Sequence, residues 1–495
     1  MKQELAKTMA QSTGDALPLR SIDQLPGPKG LPLLGNALQL KADQMHLQFE
    51  AWAREFGPYF KVQIAARRIM VVADHQAIGT LLRSRPDGFS RSNRLAEIVE
   101  ELGLPVGVFG ANGEAWRRQR RMVMAGFDPA HVKRYFPSLK DVAQRLARRW
   151  TIAAHADTAI DLQADLMRYT VDTIAGLAFG AEVNTLESDG DIIQQHLDRL
   201  FPALFKRMFA PFPVWRWLPS RADRQLAASV IAILAAVDAF IVQARRRMAG
   251  QPDLYEQPNN LLEAMIAAAD QPDSGIDDSQ VAGNVLTLLL AGEDTTANTL
   301  AWMIYLLWQN PAALAKAVAE VRTVCAGPLH EMTFEDLGRL DYIDACANET
   351  MRLKPVAPFL GFQTLQDTVV GDVQVPAGTM ILSVMRFDAV SDAHVRNAAA
   401  FSPERWLEEN NPALNATSAK RISMPFGGGP RICPGRYLAL CEMKMAMATL
   451  LGQFDIVDLT TPDGKPAREN MALSMSPVGL RMRLALRAPA PAPPQ

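Results

Sequence analysis

Residues 426–435, with the sequence FGGGPRICPG, restrict what this chain can fold into more than any other feature. Pro434 suits the first turn of a helix, and a run rich in Ala, Leu and Met follows it. The thiol of Cys433 is therefore predicted at a helix start, where the dipole and free N–H groups favour the thiolate. The three glycines permit a tight turn and a close approach to a flat, bulky group. Arg431 offers a cation for a carboxylate, so the loop provides what a haem iron requires of a cysteine ligand.

The loop taken by itself leaves other kinds of site open. A glycine-rich loop can bind phosphate, but the pattern GxxxxGK[ST] is absent from the sequence. A cysteine before a helix can be a nucleophile, but no histidine lies near Cys433 in sequence and no cysteine-protease signature occurs. Haem ligation is a hypothesis at this point, and it depends on whether distant segments agree with it.

The charge balance and the cysteine content exclude several classes of protein. The 495 residues include 51 Lys and Arg against 53 Asp and Glu, whereas a general nucleic-acid binder needs a basic surplus. Four cysteines do not make a disulfide framework for so long a chain, which favours a reducing compartment. The seven histidines are scattered without HxxxH or HExxH spacing, which argues against a histidine-built zinc site.

The N-terminus and the apolar stretches predict a cytoplasmic protein without a transmembrane anchor. The first twenty residues contain no apolar core, so we expect no secretory signal. Residues 230–242 and 285–308 are the most apolar, but Asp238 interrupts the first, and Glu293 and Asp294 interrupt the second. Because acids are costly in lipid, both stretches are predicted to be buried helices of a soluble protein.

The pattern along the chain predicts one compact domain over residues 26–487, after a flexible leader (1–25) and before a disordered Pro/Ala-rich tail (488–495). Helical patterns dominate from Arg117 to about Arg352. No Gly/Ser-rich linker and no internal repeat divides the chain. The predicted fold class is mainly α with a smaller β region.

Short strands are predicted on either side of this helical body. Residues 59–64 and 69–73 are expected to form a hairpin. Residues 364–384 have the pattern strand, turn, strand, and residues 473–486 alternate as a strand pair. A helix is predicted between these last two regions, from about residue 434 to residue 454.

Residues 201–218 (FPALFKRMFAPFPVWRWL) are aromatic, punctuated by proline and flanked by Lys and Arg. The favoured interpretation is a packed loop between two helices. A mobile apolar lid over a pocket, or a patch that contacts a membrane surface, stays open as an alternative.

A second candidate site lies within a long helical run at residues 281–310. Thr295 can donate back to the carbonyl oxygen of Ala291, which would loosen the helix beside Gly292 and open room for a small ligand or water. Asp294 stands next to this place as a proton source. By itself, the segment is better explained as a helix that tolerates polar residues.

Two further segments pair charged or aromatic residues at helical spacing. Glu349 and Arg352 lie three apart on one helix face, and Arg405 follows later in the segment FSPERW. Trp116 and Arg120 lie at i and i+4, so an indole N–H and a guanidinium can reach the same group.

Together these motifs resemble those of the cytochrome P-450 family of haem-thiolate monooxygenases, and the likeness is to a soluble, bacterial-type member. The family's loop pattern FxxGxRxCxG is filled at every fixed position, by Phe426, Gly429, Arg431, Cys433 and Gly435. Its oxygen-activation pattern [AG]Gx[DE]T[TS] is matched in full by AGEDTT, and its ExxR and WxxxR helices occur in the expected order.

The resemblance implies a role for each of these residues. Cys433 is the expected axial iron ligand of haem b (iron protoporphyrin IX). Thr295 is expected to hydrogen-bond dioxygen and Asp294 to relay protons. The expected cofactor-binding residues are Trp116, Arg120, Ala291, Gly292, Phe426, Gly429, Arg431 and Gly435, of which Trp116, Arg120 and Arg431 contact propionates. The expected structural residues, a buried ionic network, are Glu349, Arg352 and Arg405.

The resemblance also implies a fold and a reaction. The fold is the helical P-450 fold, with haem buried between a large helical part and a small sheet-rich part. The reaction inserts one oxygen atom of O2 into an apolar small molecule such as a fatty acid, terpenoid or steroid. A peroxide-driven haem-thiolate peroxygenase and a non-enzymatic haem-binding sensor are the alternatives.

The electron donor is expected to be a separate protein, because no flavin- or iron–sulfur-binding segment follows in this sequence. A ferredoxin, a flavodoxin or a flavoprotein reductase would serve. The docking surface is expected at Arg117, Arg118 and Arg121, on the outer face of the WxxxR helix, where charge can steer an acidic partner. The protein itself is expected to be a monomer.

Two departures from the family pattern concern the region after the ExxR helix. Residues 358–363 (PFLGFQ) contain no Arg or His, although many relatives bind the second propionate there. Arg386 stands where relatives often have a His-Arg-Asp sequence, so it is a candidate to take over one of the roles of that sequence. The residue that anchors the second propionate is left open by the sequence.

Overall fold

The computed structural model describes residues 19–127, 129–180, 183–188, 192–407 and 416–487. Helices carry most of this part of the chain. Its α-helices are α1 Met45–Phe56, α2 His75–Arg83, α3 Asn93–Glu101, α4 Gly113–Gly126, α5 Pro129–His155, α6 Leu162–Phe179, α7 Ile192–Phe209, α8 Arg221–Gly250, α9 Leu261–Ala269, α10 Asp278–Gln309, α11 Pro311–Val324, α12 Phe334–Gly338, α13 Asp341–Leu353, α14 Glu404–Leu407, α15 Ala416–Ser423 and α16 Arg436–Gln453.

The strands form small sheets at the edge of this helical body. They are β1 Arg20–Ser21, β2 Tyr59–Ile64, β3 Arg67–Val72, β4 Phe89–Ser90, β5 Ile160–Asp161, β6 Phe359–Thr364, β7 Thr368–Val370, β8 Val373–Val375, β9 Met380–Val384, β10 Phe454–Thr460, β11 Glu469–Met471, β12 Met475–Pro477 and β13 Arg481–Leu486. The largest sheet has the order β2-β3-β9-β6-β4, and the others are β10-β13-β5, β1-β8-β7 and β11-β12.

Most of the predicted strands are confirmed, and one pairing is wrong. β2 and β3 form the expected antiparallel hairpin around Ala65, whose φ of 52° makes the turn tight. The predicted strand pair within residues 473–486 does not exist, because β12 pairs with β11 whereas β13 pairs with β10 and β5. Alternation within a segment shows which side chains face inward, but it does not choose the partner strand.

The N-terminal boundary of the domain lies earlier than predicted. β1 pairs in parallel with β8, and the side chains of Ile22 and Leu25 are buried. These residues belong to the fold although they were assigned to the flexible leader. Residues 1–18 of the predicted leader and the predicted tail, residues 488–495, lie outside the described residues.

The long helix α10 runs through the core and carries the second candidate site. Its N-cap, Asp277, accepts from the backbone N–H of Gln280, and Pro311 opens the next helix directly after it. Most of its side chains are buried among α6, α9, α13 and α16. The prediction of a buried helix at residues 285–308 is thereby confirmed.

The other apolar stretch differs from the prediction. α8 is long and apolar enough to cross a membrane by length and composition, and 33% of its most apolar window is buried inside the protein. Its buried residues, among them Val230, Ile233 and Val237, recur every three or four positions, so one face packs on the protein. Ile231 and Val242 on the other side are exposed. The helix is therefore half-buried rather than buried.

Residues 201–218 are only partly a loop. α7 continues through Pro202 to Phe209, and a short 3-10 turn, Val214–Arg216, follows. The proline inside the helix and the aromatic composition hid this extension from the sequence pattern. Trp217 and Leu218 beyond the turn are 68% and 75% exposed.

Candidate active site

The cysteine loop begins with two glycines in the left-handed region and ends in α16. Gly427 and Gly429 have φ values of 73° and 65°, which favour glycine. The backbone N–H of Cys433 donates to the carbonyl oxygen of Phe426 at 2.9 Å, which closes the loop. α16 begins at Arg436 with Gly435 as its N-cap, two residues later than predicted. Pro434 therefore belongs to the loop and not to the helix.

Gly429 serves a close approach within the protein. A Cβ atom at this position would overlap the carbonyl oxygen of Leu82 near the end of α2. The sequence predicts that the glycines let the loop approach a bulky ligand. Gly429 instead lets the loop approach the backbone of α2. No other residue type can hold the loop this close to the helix.

Opposing influences act on the Cys433 thiol. Burial raises its pKa above the ordinary value, because a thiolate is poorly solvated there. The backbone N–H groups of Gly435 and Arg436 hydrogen-bond the sulfur and lower the pKa, as does the charge of Arg120. The expected N–H groups at the helix start are therefore present, but burial outweighs them until a cation binds the sulfur.

Two of the predicted anion-binding residues lie beside the loop. Arg120 donates from Nη2 to the carbonyl oxygen of Ile432 at 2.8 Å. The Arg431 guanidinium lies 4.9 Å from the ring centroid of Trp116, which is buried. Nη1 of Arg431 is buried without a hydrogen-bond partner in the described part of the protein. The structure thus brings Trp116, Arg120 and Arg431 together, and it leaves a donor free.

Two more arginines that sequence analysis missed join this group. Burial and the charges of Arg91 and Arg431 lower the pKa of Arg85 to about 9, and burial lowers that of Arg91 to about 10. Burial and the charges of Arg91 and Arg120 likewise lower the pKa of Arg431 to about 9. The four guanidinium groups are close enough to repel one another.

No carboxylate among residues 19–127, 129–180, 183–188, 192–407 and 416–487 forms an ion pair with any of these four arginines. Buried cations normally have anionic partners, because an unpaired charge is costly to desolvate. The cluster therefore fits a ligand that carries carboxylates, such as the two propionates of haem. In the sequence, Arg85 and Arg91 resemble ordinary surface charges, and no motif marked them.

One residue at the centre of α10 is exposed to an unusual degree. Ala291 is exposed although the residues on both sides of it in the helix are buried or half-buried. The Thr295 hydroxyl donates to the Ala291 carbonyl oxygen at 2.8 Å, as expected. The helix nevertheless continues without a break, and Gly292 packs closely against Ile174 of α6. Gly292 thus gives room to a neighbouring helix, and the predicted opening beside it is not seen.

Asp294 is held by a polar group that comes from two distant segments. Nδ2 of Asn298 donates to Asp294 Oδ1 at 2.8 Å, and the Ser474 hydroxyl donates to Oδ2. Asn298 also donates to Ser474 Oγ at 3.0 Å and accepts from Gln163 Nε2 at 3.2 Å. Ser474 and Gln163 carried no sequence signal, because they lie far from α10 along the chain.

Glu349, Arg352 and Arg405 come together in the core with almost no exposure. Arg352 donates to both carboxylate oxygens of Glu349 at 2.8 Å, and Arg405 donates to Glu349 Oε1 at 2.9 Å. Burial opposes ionisation of Glu349, but the hydrogen bonds and charge of Arg352, together with Arg405, lower its pKa. Arg352 also donates to the carbonyl oxygens of Ala389 and Ala398. The group ties α13 to the segment before α14.

The predicted docking arginines differ in their surroundings. Arg121 is exposed, whereas Arg117 forms ion pairs with Asp87 and Glu114. Arg118 is half-buried, and Nε of its guanidinium has no partner in the described part of the chain. The positive surface here is therefore weaker than the sequence predicts.

Arg386 does not face the arginine cluster. It donates to both carboxylate oxygens of Glu50, at 2.7 and 3.1 Å, and of Glu469, at 3.1 and 2.7 Å. Both acids are nearly buried. The side chain thus links α1 to β11, and it is engaged with carboxylates of the protein itself.

Comparison with known proteins gives a consistent result. A family model described as cytochrome P450 matches residues 25–483. The chain is 28% identical to a self-sufficient cytochrome P450 monooxygenase of Aspergillus terreus, over 95% of this chain and 44% of the relative. It is 28% identical to a bifunctional cytochrome P450/NADPH–P450 reductase of Bacillus cereus, over 89% of this chain and 40% of the relative. The chain spans less than half the length of these two relatives.

Other matches are closer to this chain in length. The chloroplastic protein LUTEIN DEFICIENT 5 of Arabidopsis thaliana is 28% identical over 81% of this chain and 67% of the relative. Among solved structures, the crystal structure of the cytochrome P450DA heme domain superposes with a TM-score of 0.80 at 26% identity, covering 96% of this chain and 98% of that one. The predicted fold class, a large helical part with a small sheet-rich part, is confirmed by this superposition.

Proposed function

The chain belongs to the cytochrome P450 family of cysteine-ligated haem enzymes, and from this we propose that it is a monooxygenase acting on an apolar small molecule. The balanced reaction takes substrate, O2, two electrons and two protons to the hydroxylated (or epoxidised) product and water. When bound, haem supplies the reductive activation of dioxygen. The observation that carries the proposal is the set of buried and half-buried guanidinium groups beside the Cys433 loop, which have no acidic partner among the described residues.

Cys433 is the proposed iron ligand. Two backbone N–H groups and the charge of Arg120 stabilise negative charge on its sulfur, and burial keeps water from it. A metal cation bound to the sulfur would outweigh the effect of burial on the thiol pKa, because a coordinated thiol is deprotonated. Phe426 and Gly435 hold the loop at its two ends, the first through its carbonyl and the second through its N–H.

The propionates are proposed to lie among Arg85, Arg91, Arg120 and Arg431. Two carboxylates would meet four guanidinium groups that have no acidic partner among the described residues. The free Nη1 of Arg431 is a ready donor. Residues 358–363 contain no Arg or His to bind the second propionate. Arg85 and Arg91 are proposed to supply the cations which that segment lacks.

Proton delivery is proposed to use Asp294 and Thr295. Asn298 and Ser474 fix both oxygens of the Asp294 carboxylate, so the group has one orientation. The Thr295 hydroxyl lies one residue further along α10, next to the exposed surface at Ala291. The proposed step passes a proton from the carboxyl group of Asp294 to the neighbouring Thr295 hydroxyl through water, as in general acid catalysis.

The substrate is proposed to be a fatty acid, terpenoid or steroid. The aromatic rings of Phe205, Phe209 and Phe359 pack together where α7 meets β6. The segments proposed to line the substrate pocket, residues 201–218 and 355–362 among them, are largely apolar, which favours a lipophilic ligand over a charged metabolite. A separate ferredoxin, flavodoxin or flavoprotein reductase is the proposed electron donor, and exposed Arg121 is proposed to be part of its docking surface. Four free cysteines agree with a cytoplasmic, reducing location.

The experiment that tests this proposal supplies the haem-loaded protein with lipophilic substrates under two regimes. The first gives O2, NADPH and a surrogate reductase with ferredoxin, and the second gives hydrogen peroxide alone. We expect product in the first regime, with label from 18O2. Product only with peroxide would instead identify a peroxygenase. No product under either regime, with several competent donors, would contradict an enzymatic function.

A further inference from the structure

Three potential metal ligands lie together in a part of the protein that the proposed reaction does not use. Asp388 Oδ2 lies 2.8 Å from His75 Nδ1, and Oδ1 of the same carboxylate lies 3.4 Å from His394 Nε2. One ligand atom from each residue lies within 4.8 Å of the other two. The two imidazole rings meet edge to face, with centroids 4.9 Å apart.

These three residues come from separate elements, and the backbone fixes each of them. His75 is the first residue of α2, and its N–H donates to Asp388 Oδ2 at 2.8 Å. Asp388 begins a 3-10 turn, Asp388–Val390, and His394 donates from its backbone N–H to the carbonyl of Ser391 at 3.0 Å. The cluster is therefore held in place before any ligand binds, which reduces the entropy cost of binding.

The geometry and the donor set suit zinc. Two imidazole nitrogens and one carboxylate oxygen are ligands that Zn²⁺ accepts, and they leave a fourth position for water. Ligands at about 2.0–2.2 Å from a tetrahedral zinc ion lie roughly 3.3–3.5 Å from one another. The separation of 2.8 Å runs from His75 to Oδ2 of Asp388 and that of 3.4 Å from His394 to Oδ1, and the three ligand atoms lie within 4.8 Å of one another. Binding therefore requires the side chains to close by up to about 1 Å around one carboxylate oxygen.

The surroundings favour a cation and allow it to enter. The His75, Asp388 and His394 side chains are 17%, 9% and 36% exposed. Burial raises the pKa of the nearby Tyr59 hydroxyl, and the charges of Asp74, Asp372 and Asp388 raise it further. Three carboxylates thus make the local potential negative, with Arg20 paired to Asp372.

We propose that His75, Asp388 and His394 form a binding site for a divalent transition-metal ion, with zinc as the best match. The site joins α2, which contacts the cysteine loop, to the turn that begins at Asp388. α2 supports the loop through Leu82 and Gly429, and the turn that begins at Asp388 continues to Ala389, whose carbonyl accepts from Arg352. Metal binding therefore fastens α2 to the segment that the buried Glu349 group holds.

The test measures zinc binding to the haem-loaded protein at neutral pH. A Cys325→Ser background removes the half-buried thiol that could bind zinc elsewhere. The variants are His394→Ala, which changes a partly exposed side chain, and His75→Gln. The control is His330→Ala, because His330 is exposed and lies outside the cluster. Circular dichroism and the haem spectrum verify that each variant is folded.

We expect the background protein to bind one zinc ion per chain in calorimetry and to gain a few degrees in Tm at saturating ZnCl2. His394→Ala and His75→Gln should bind roughly 10- to 100-fold more weakly and lose the Tm shift, whereas His330→Ala should behave as the background. Absence of stoichiometric binding to the background protein would overturn the proposal. Unchanged affinity in His394→Ala, which does not depend on the behaviour of His75→Gln, would overturn it as well.

Discussion

The Thr295 hydroxyl is the group whose removal should separate the proposed proton delivery from substrate binding. It donates to the carbonyl oxygen of Ala291 at 2.8 Å, and a hydroxyl can also accept hydrogen bonds. Thr295→Ala should leave substrate binding intact and divert electrons to hydrogen peroxide. We expect product per NADPH to fall by roughly 10-fold, less than the ~10²-fold typical of positioned proton transfer because Asp294 remains.

The control for this prediction is Thr299→Ala. Thr299 makes the same kind of bond, to the carbonyl of Thr295 at 2.8 Å, one turn further along α10. The measurement compares product, NADPH and peroxide in both variants. Coupling that is unchanged in Thr295→Ala, or lost equally in Thr299→Ala, would contradict a specific role for the Thr295 hydroxyl.

Glu442 gives the protein a pH dependence that is independent of the iron. This carboxyl group is buried, and one of its oxygens has no partner among the described residues. Burial raises its pKa to about 8, although the Thr296 hydroxyl acts in the opposite direction. Between its unfolded pKa near 4.5 and about 8, the folded state therefore binds the proton that the unfolded state has lost.

It follows that stability should fall as the pH rises through this window and level off above it. Glu442→Gln keeps the shape and removes the titration, so it should increase the free energy of unfolding more at about pH 8 than at about pH 5. Urea denaturation at the two pH values measures the difference, with Glu55→Gln, an exposed position on α1, as a control. An equal effect of Glu442→Gln at both pH values would show that this carboxyl does not titrate in the window.

At the residue scale, the sequence predicts those parts of the site that are contiguous. Cys433, Arg431 and the Thr295 back-bond follow from local spacing, because a loop or one helix turn fixes them. Ser474 and the two extra arginines do not, since they reach the site from distant segments. The same limit explains why the scattered histidines argued against a zinc site, whereas the fold brings two of them to one aspartate.

At the scale of elements, the turn after α7 is fastened to α3. Trp215 donates from its indole N–H to Glu101 at 3.0 Å, and the guanidinium groups of Arg94 and Arg207 lie 5.5 and 5.0 Å from its ring centroid. Arg216 also pairs with Glu101. Residues 201–218 are thus connected to α3 by a specific contact, which supports the favoured interpretation of a packed segment over that of a mobile lid.

Trp215→Ala should release this contact and speed the exchange of bound ligand. Each cation–π contact contributes ~0.5–1 kcal/mol at such a site, so a rise of several-fold in the dissociation rate is expected. Stopped-flow recording of the haem spin-state change measures that rate. Trp217→Ala is the matched control, because Trp217 is exposed and lies two residues away. Equal rates in both variants would show that the contact does not restrain the segment.

The elements themselves were predictable where the signal is local and strong. α10 has an N-cap, an apolar face and a proline after its end, and all of them appear in the sequence. The signal for the β2–β3 hairpin is likewise local. α7 was missed because Pro202 interrupts its pattern, and β12 was paired with the wrong strand because strand pairing is decided by the tertiary fold.

At the scale of the whole molecule, buried ionic groups join the sheet-rich part to the helical part. Arg386 links α1 to β11 through Glu50 and Glu469, and Arg352 links α13 to the segment before α14. Buried pairs of this kind fix geometry more than they add stability. The sequence predicts only the group around Arg352, because the resemblance to a family identifies Glu349 and Arg405 as its partners. It does not predict the partners of Arg386.

The whole arrangement depends on one claim, that Cys433 holds the iron of a haem seated against the arginine cluster. The most direct measurement is the absorption spectrum of the reduced, CO-bound protein, for the unaltered chain and for Cys433→Ser. Cys325→Ser is the control, since that thiol is half-buried at the end of α11. We predict a long-wavelength Soret band for the unaltered chain and the control, and its loss in Cys433→Ser. Retention of that band in Cys433→Ser, or an unaltered chain that stays colourless with ample hemin, would contradict the claim.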